Sequence, residues 1–97
     1  MIQNSGTQLL TAAGVVGSSG KAVRVFNITV VSDGTAGVTT VRNGTSSGGT
    51  TYDIITGTVS TGVNRNYGTQ GKVFAAGCYI DADAHSIGVA VDYSYVS

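Results

Sequence analysis

Between Val23 and Gly44 the chain reads VRVFNITVVSDGTAGVTTVRNG, and no other stretch narrows the possible folds as much. β-Branched and aromatic residues dominate Ala22–Ser32. Branching at Cβ costs rotamer freedom in a helix but packs well on a pleated surface. At ~3.3 Å per residue the segment would span roughly 35 Å, which is long for a strand. Asp33-Gly34-Thr35-Ala36-Gly37 supplies turn residues, and Val38–Asn43 reads as a second strand with Thr39 and Val41 inward. Asn43-Gly44 then opens another turn. Strict alternation sets Phe26, Ile28 and Val30 on one face of the first strand, and Val23, Val25, Asn27, Thr29 and Val31 on the other. That second face is mixed rather than polar, which points to a second buried surface.

The remaining chain repeats this grammar at roughly 8–12-residue intervals. A short strand is expected around Gln8–Ala12, followed by a loop through Gly14, Gly17 and Gly20. Further strands are expected at Thr50–Thr56, Thr58–Ser60, Val63–Tyr67, Cys78–Ala82 and Ile87–Val96, with Val73–Phe74 a short strand or apolar plug. Tyr52 and Tyr93 are expected in the core. The closing strand should present Ile87, Val89, Val91, Tyr93 and Tyr95 on one face. Glu and Pro are absent, and only 10% of the residues are charged, against about 25% in an average soluble domain. Thr, Ser, Asn and Gly must therefore meet the water. The expected fold is all-β: a small antiparallel β-sandwich, jelly-roll-like, of about eight short strands. Residues 20–97 form the single domain, and residues 1–19 an extended arm or first strand.

Charge and length exclude several roles. The net charge is zero, with Lys21, Arg24, Arg42, Arg65 and Lys72 scattered among five Asp. A nucleic-acid partner, which needs a clustered basic stripe, is not expected. Apolar runs fall far short of the roughly 20 residues of a membrane span. MIQNSGTQLLTAAG lacks the basic and apolar blocks of a signal peptide, so none is expected. Cys78 is the only cysteine and reads as a buried small hydrophobe rather than a reactive thiol.

Motif searches end without a catalytic or cofactor site. Gly14–Lys21, GVVGSSGK, looks like a phosphate loop, but the required first Gly is Val15 and the residue after Lys21 is Ala22. Asp81-x-Asp83-x-His85 is the best local cluster, because in one strand all three side chains would share a face and could ligate a metal. The competing reading is a strand end and a polar turn, with Asp83 capping backbone amides. Gly44-Thr45-Ser46-Ser47-Gly48 spells Gly-x-Ser-x-Gly, but it lies in a Thr/Ser/Gly loop with no helix expected after it, so it does not read as a nucleophile elbow for His85 to serve. Tyr67, Tyr79 and Tyr95, together with Leu9 and Leu10, are the candidate contact residues, since tyrosine joins apolar area to a hydroxyl. A non-enzymatic binding role without cofactor is expected.

Phe26–Gly37 (FNITVVSDGTAG), Val41–Thr45 (VRNGT), Gly77–Ala84 (GCYIDADA) and the Val89-x-Val91-x-Tyr93 strand resemble small virion accessory proteins of tailed bacteriophages, marine ones especially. The resemblance covers about Val23 to Tyr95. It implies a jelly-roll protein that decorates or cements the capsid shell through the major capsid protein or other virion proteins. It also implies a homo-oligomer, a trimer by preference, located in the virion and assembled in the host cytoplasm. Two alternatives are a tail, baseplate or fibre-associated adaptor, and a jelly-roll glycan-binding module using exposed tyrosines with Asn64, Asn66 or Arg65.

Overall fold

A computed structural model describes residues 5–57 and 62–96. Among these residues nine strands follow in order: β1 Ser5–Leu10, β2 Gly14–Val16, β3 Val23–Ser32, β4 Gly37–Asn43, β5 Thr50–Gly57, β6 Gly62–Asn66, β7 Lys72–Phe74, β8 Cys78–Ala82 and β9 Ser86–Tyr95. One sheet runs β1-β9-β3-β6, with β7 also paired to β3; the other runs β2-β8-β4-β5. Every pairing is antiparallel. The pairs nest, β1 with β9, β2 with β8, β3 with β6 and β4 with β5, as in a long hairpin rolled up on itself. That nesting is the jelly roll, and β7 is a short addition beside β6. Among the described residues, no helix is long and apolar enough to cross a membrane.

Within residues 1–19, Ser5–Leu10 and Gly14–Val16 are edge strands of the two sheets. The sequence assigned Gly14–Val16 to a loop. Val15 lies opposite Tyr79 and Val16 opposite Cys78 in the ladder with β8. The strand expected at Thr58–Ser60 lies outside the described residues.

The core lies between the sheets. Val23, Val25, Ile28, Val30, Val89 and Val91 project from one sheet, and Val16, Val41, Ile55, Cys78 and Ile80 from the other, with Phe74 closing one end. Burial changes parity within β3, from Val23 and Val25 to Ile28 and Val30. The cause is a β-bulge. Val25 pairs with Tyr93 and Asn27 with Asp92, which leaves Phe26 as the extra residue. An extra residue shifts the pleat by one, so the two halves of the strand bury opposite parities. The mixed face expected from strict alternation is thus a single buried surface read through a bulge, and Phe26 itself is only half-buried.

Two further bulges act alike. Val41 pairs with Asp53 and Arg42 with Thr51, so Tyr52 is extra on β5. Val31 pairs with Gly88 and Ser32 with Ser86, so Ile87 is extra on β9. Tyr52 is 45% exposed, contrary to the core position expected of it, and Ile87 is 49% exposed and so does not share the buried face of Val89 and Val91. Tyr93 is half-buried and packs against the core. At the end where β3, β4, β5 and β9 meet, Gly37 pairs with Gly57. A Cβ on Gly57 would strike the Ser32 hydroxyl, and one on Gly37 would lie 2.6 Å from Ser86 Oγ, so the layers close there because both positions lack side chains.

Candidate functional site

The densest polar-aromatic cluster bridges the open margin between the sheets. β5 contributes Tyr52 and Asp53. Arg65 lies on β6 with Tyr67 just beyond it, and β7 adds Lys72 and Phe74. The bulge at Tyr52 lets two neighbouring residues of β5 face this margin. Tyr67 donates its hydroxyl to Asp53 Oδ2 at 2.8 Å, and Arg65 Nε stands 3.2 Å from the same oxygen. The Ile54 amide donates to Asp53 Oδ1 at 2.8 Å. The Tyr67 amide in turn donates to the Phe26 carbonyl at 2.8 Å. The Tyr52 ring meets Tyr67 edge-on at 5.6 Å and Phe74 at 5.4 Å, while Lys72 Nζ sits 4.7 Å from the Tyr52 centroid. Burial, and then the Asp53 carboxylate, push the Tyr67 phenol well above its ordinary range. The phenol is held neutral as a donor. The cluster works as a clasp between the layers and leaves one exposed aromatic, Tyr52, under a lysine.

The Asp81–Asp83–His85 cluster does not assemble as one group. Asp81 pairs with Arg42 Nε at 3.0 Å, and Arg42 also donates to Thr51 Oγ1 at 2.8 Å. Asp83 caps the turn into β9. Its Oδ1 accepts from the His85 amide at 3.0 Å and the Ser86 amide at 3.1 Å, and its Oδ2 accepts from the Val38 amide at 2.8 Å. Those amides, Val38 first, hold its carboxyl below the usual range. His85 turns to Asp33, with Nδ1 3.2 Å from Oδ2, and the Asp33 amide donates to the His85 carbonyl at 2.9 Å. The Thr35 amide, followed by His85, lowers the Asp33 carboxyl. These bonds join two loops. Among the described residues, no three His, Cys, Asp or Glu side chains gather as a metal site.

Three amides of the GVVGSSGK loop are already engaged within the chain. Gly17 N–H donates to Gln8 Oε1 at 2.7 Å, Ser18 N–H to the Tyr95 hydroxyl at 2.9 Å, and Lys21 N–H to the Ser18 carbonyl at 3.1 Å. Hydrogen bonding from Ser18 lowers the Tyr95 phenol. Lys21 Nζ lies 5.4 Å from its ring, and Tyr93 meets it edge-on at 5.6 Å. Tyr95 is therefore engaged in pinning this loop. Tyr79 is half-buried. Leu10 is a core residue, whereas Leu9 is 68% exposed. Burial pushes the Cys78 thiol up to about 12.

Asp53, Arg42 and Gln8 were not singled out from the sequence. Their partners lie on other strands, so no local spacing marks them. No family model, curated protein or solved structure matches this chain. The class defined by fold and surface is a jelly-roll β-sandwich whose polar groups chiefly fasten its own loops and layers.

Proposed function

We propose that this chain is a non-enzymatic structural protein of a tailed-phage particle, binding the outside of the capsid shell through the major capsid protein. The carrying observation is apolar side chains on the outer surfaces of both sheets. Leu9 and Val31 project from the β1-β9-β3-β6 sheet, with Ile87 at its bulge; Val38 and Ile54 project from the other. Rigid layers clasped by Asp53, Arg65 and Tyr67 suit a module that presents such faces without rearranging. Fold alone does not assign function. The particle and the partner come from the resemblance of Phe26–Gly37, Val41–Thr45, Gly77–Ala84 and Val89–Tyr93 to virion accessory proteins.

The test is to add the purified, tagged chain to intact particles and to isolated heads and tails of the phage, then locate it by immunogold electron microscopy. Label over the head at many sites per particle is expected. Label confined to the tail would replace this reading with the adaptor role. Failure to bind any particle fraction would overturn both.

A further inference from the structure

We infer that β1 is a strand-pairing edge through which two copies of this chain join in an antiparallel, two-fold sheet. β1 hydrogen-bonds to β9 on one side and, among the described residues, has no strand on the other. Its six residues pair with β9 without a register shift, so this edge carries no bulge. SGTQLL contains no charge and no proline. Among the described residues no side chain folds back onto its backbone, because Gln8 spends its amide on Val15 O at 3.1 Å and on the Gly17 N–H at 2.7 Å. Those two bonds tie β1 to the edge of the opposite sheet. Exposed edges are normally blunted by charges, bulges or shortness. This edge has none of the three.

The other edges are blunted. β5 carries the Tyr52 bulge, its Ile54 amide is taken by Asp53, and its Ile54 carbonyl meets Arg65 at 3.4 Å. β6 bears the charged Arg65, β7 is three residues long and opens on Lys72, and β2 has only three residues. A row of unpaired amides and carbonyls accepts another extended strand. Among the described edge strands only β1 offers an uncharged row of six residues to match it. Strand meeting identical strand is isologous, so the assembly closes at two. Absence of charge means that the two-fold brings no like charges together. Leu9, the most exposed large apolar side chain described, stands on the outer face beside Gly88 of β9, and a second β1 would set its own outer-face side chains on the other flank of Leu9. A trimer, as the resemblance implies, would need β1 to pair with one of the blunted edges. The inference concerns the free chain and stands independently of capsid binding.

An interface of one strand pair lies below the standard ~1,600 Å², so association belongs at about 10–500 μM. Sedimentation velocity of the full chain across that range should show a monomer–dimer equilibrium. Leu9→Lys should raise the dissociation constant at least about tenfold, and Ile54→Lys on the other sheet should leave it unchanged. Hydrogen exchange should slow at alternate amides of residues 5–10 as concentration rises, in wild type only. A chain monomeric throughout, a trimer, or a dimer insensitive to Leu9→Lys with unaltered exchange in β1 would each overturn the inference.

Discussion

Removing one oxygen from Tyr67 tests whether the two sheets are clasped as described. Tyr67→Phe keeps the ring that meets Tyr52 at 5.6 Å and deletes only the hydroxyl donated to Asp53 at 2.8 Å. A hydrogen bond to a charged acceptor contributes about 1.5–3 kcal/mol. The Asp53 side chain is 21% exposed and keeps Arg65 as a partner, which places the loss near the lower bound, about 1.5 kcal/mol. Arg65→Met deletes the ion pair instead. Its 45% exposed side chain puts that loss under about 1 kcal/mol. Urea unfolding should therefore rank Tyr67→Phe as the more damaging change at an unaltered m-value, with Tm lowered by roughly 6–12 °C for a domain of this size. The raised phenol adds a second signature. Folding favours the neutral form, so this stability is complete below the unfolded value of about 10 and is lost as pH climbs through the higher folded value. Wild type should lose stability on that alkaline limb, and Tyr67→Phe should lack Tyr67's part of it. An unchanged midpoint in Tyr67→Phe, or a larger loss in Arg65→Met, would refute the clasp.

Asp83→Asn should destabilise the chain at pH 7. Because the Asp83 carboxyl is lowered on folding, its contribution exists above the unfolded value of about 3.9 and disappears as pH falls through the folded one. The two proteins should therefore converge in chemical denaturation near pH 2, and a gap that persists there would sink the capping role. Thr39 is fully buried with no hydrogen-bond partner for Oγ1, so Thr39→Val should stabilise by about 1 kcal/mol; a loss in the same assay would mean that the hydroxyl is satisfied. Cys78, with its thiol pushed up to about 12, should resist a disulfide reagent at pH 8 in native buffer and react at once in denaturant. Rapid native labelling would contradict its burial.

The β-sandwich was legible in the sequence because period-two alternation and turn chemistry are local signals, and Thr39, Val41, Cys78 and Ile80 face inward as alternation requires. The misplaced residues share one cause. Alternation groups Phe26 with Ile28 and Val30, and Ile87 with Val89 and Val91, and Tyr52 is expected in the core; each of the three is instead the extra residue of a bulge. A bulge is defined by the partner strand, so nothing within the strand's own residues announces the change of parity. The clusters failed for a related reason. Asp81 and His85 are four positions apart in sequence, yet their partners Arg42 and Asp33 lie on different elements. The Asp53–Tyr67 contact spans the two layers. Charge pairing of this kind becomes visible only once strand order is known.

The nested pairing also governs how the chain can be made. Thr7 meets its partner Asp92 across a separation of 85 residues, and β9 lies between β1 and β3 in their sheet. A ribosome therefore releases β1 and β3 long before the strand that joins them exists. Contacts so distant in sequence form slowly, and until β9 emerges the nascent chain carries two strands able to pair with a stranger. Polysome crowding and chaperone access at that interval, more than the final stability, should set the yield of folded protein.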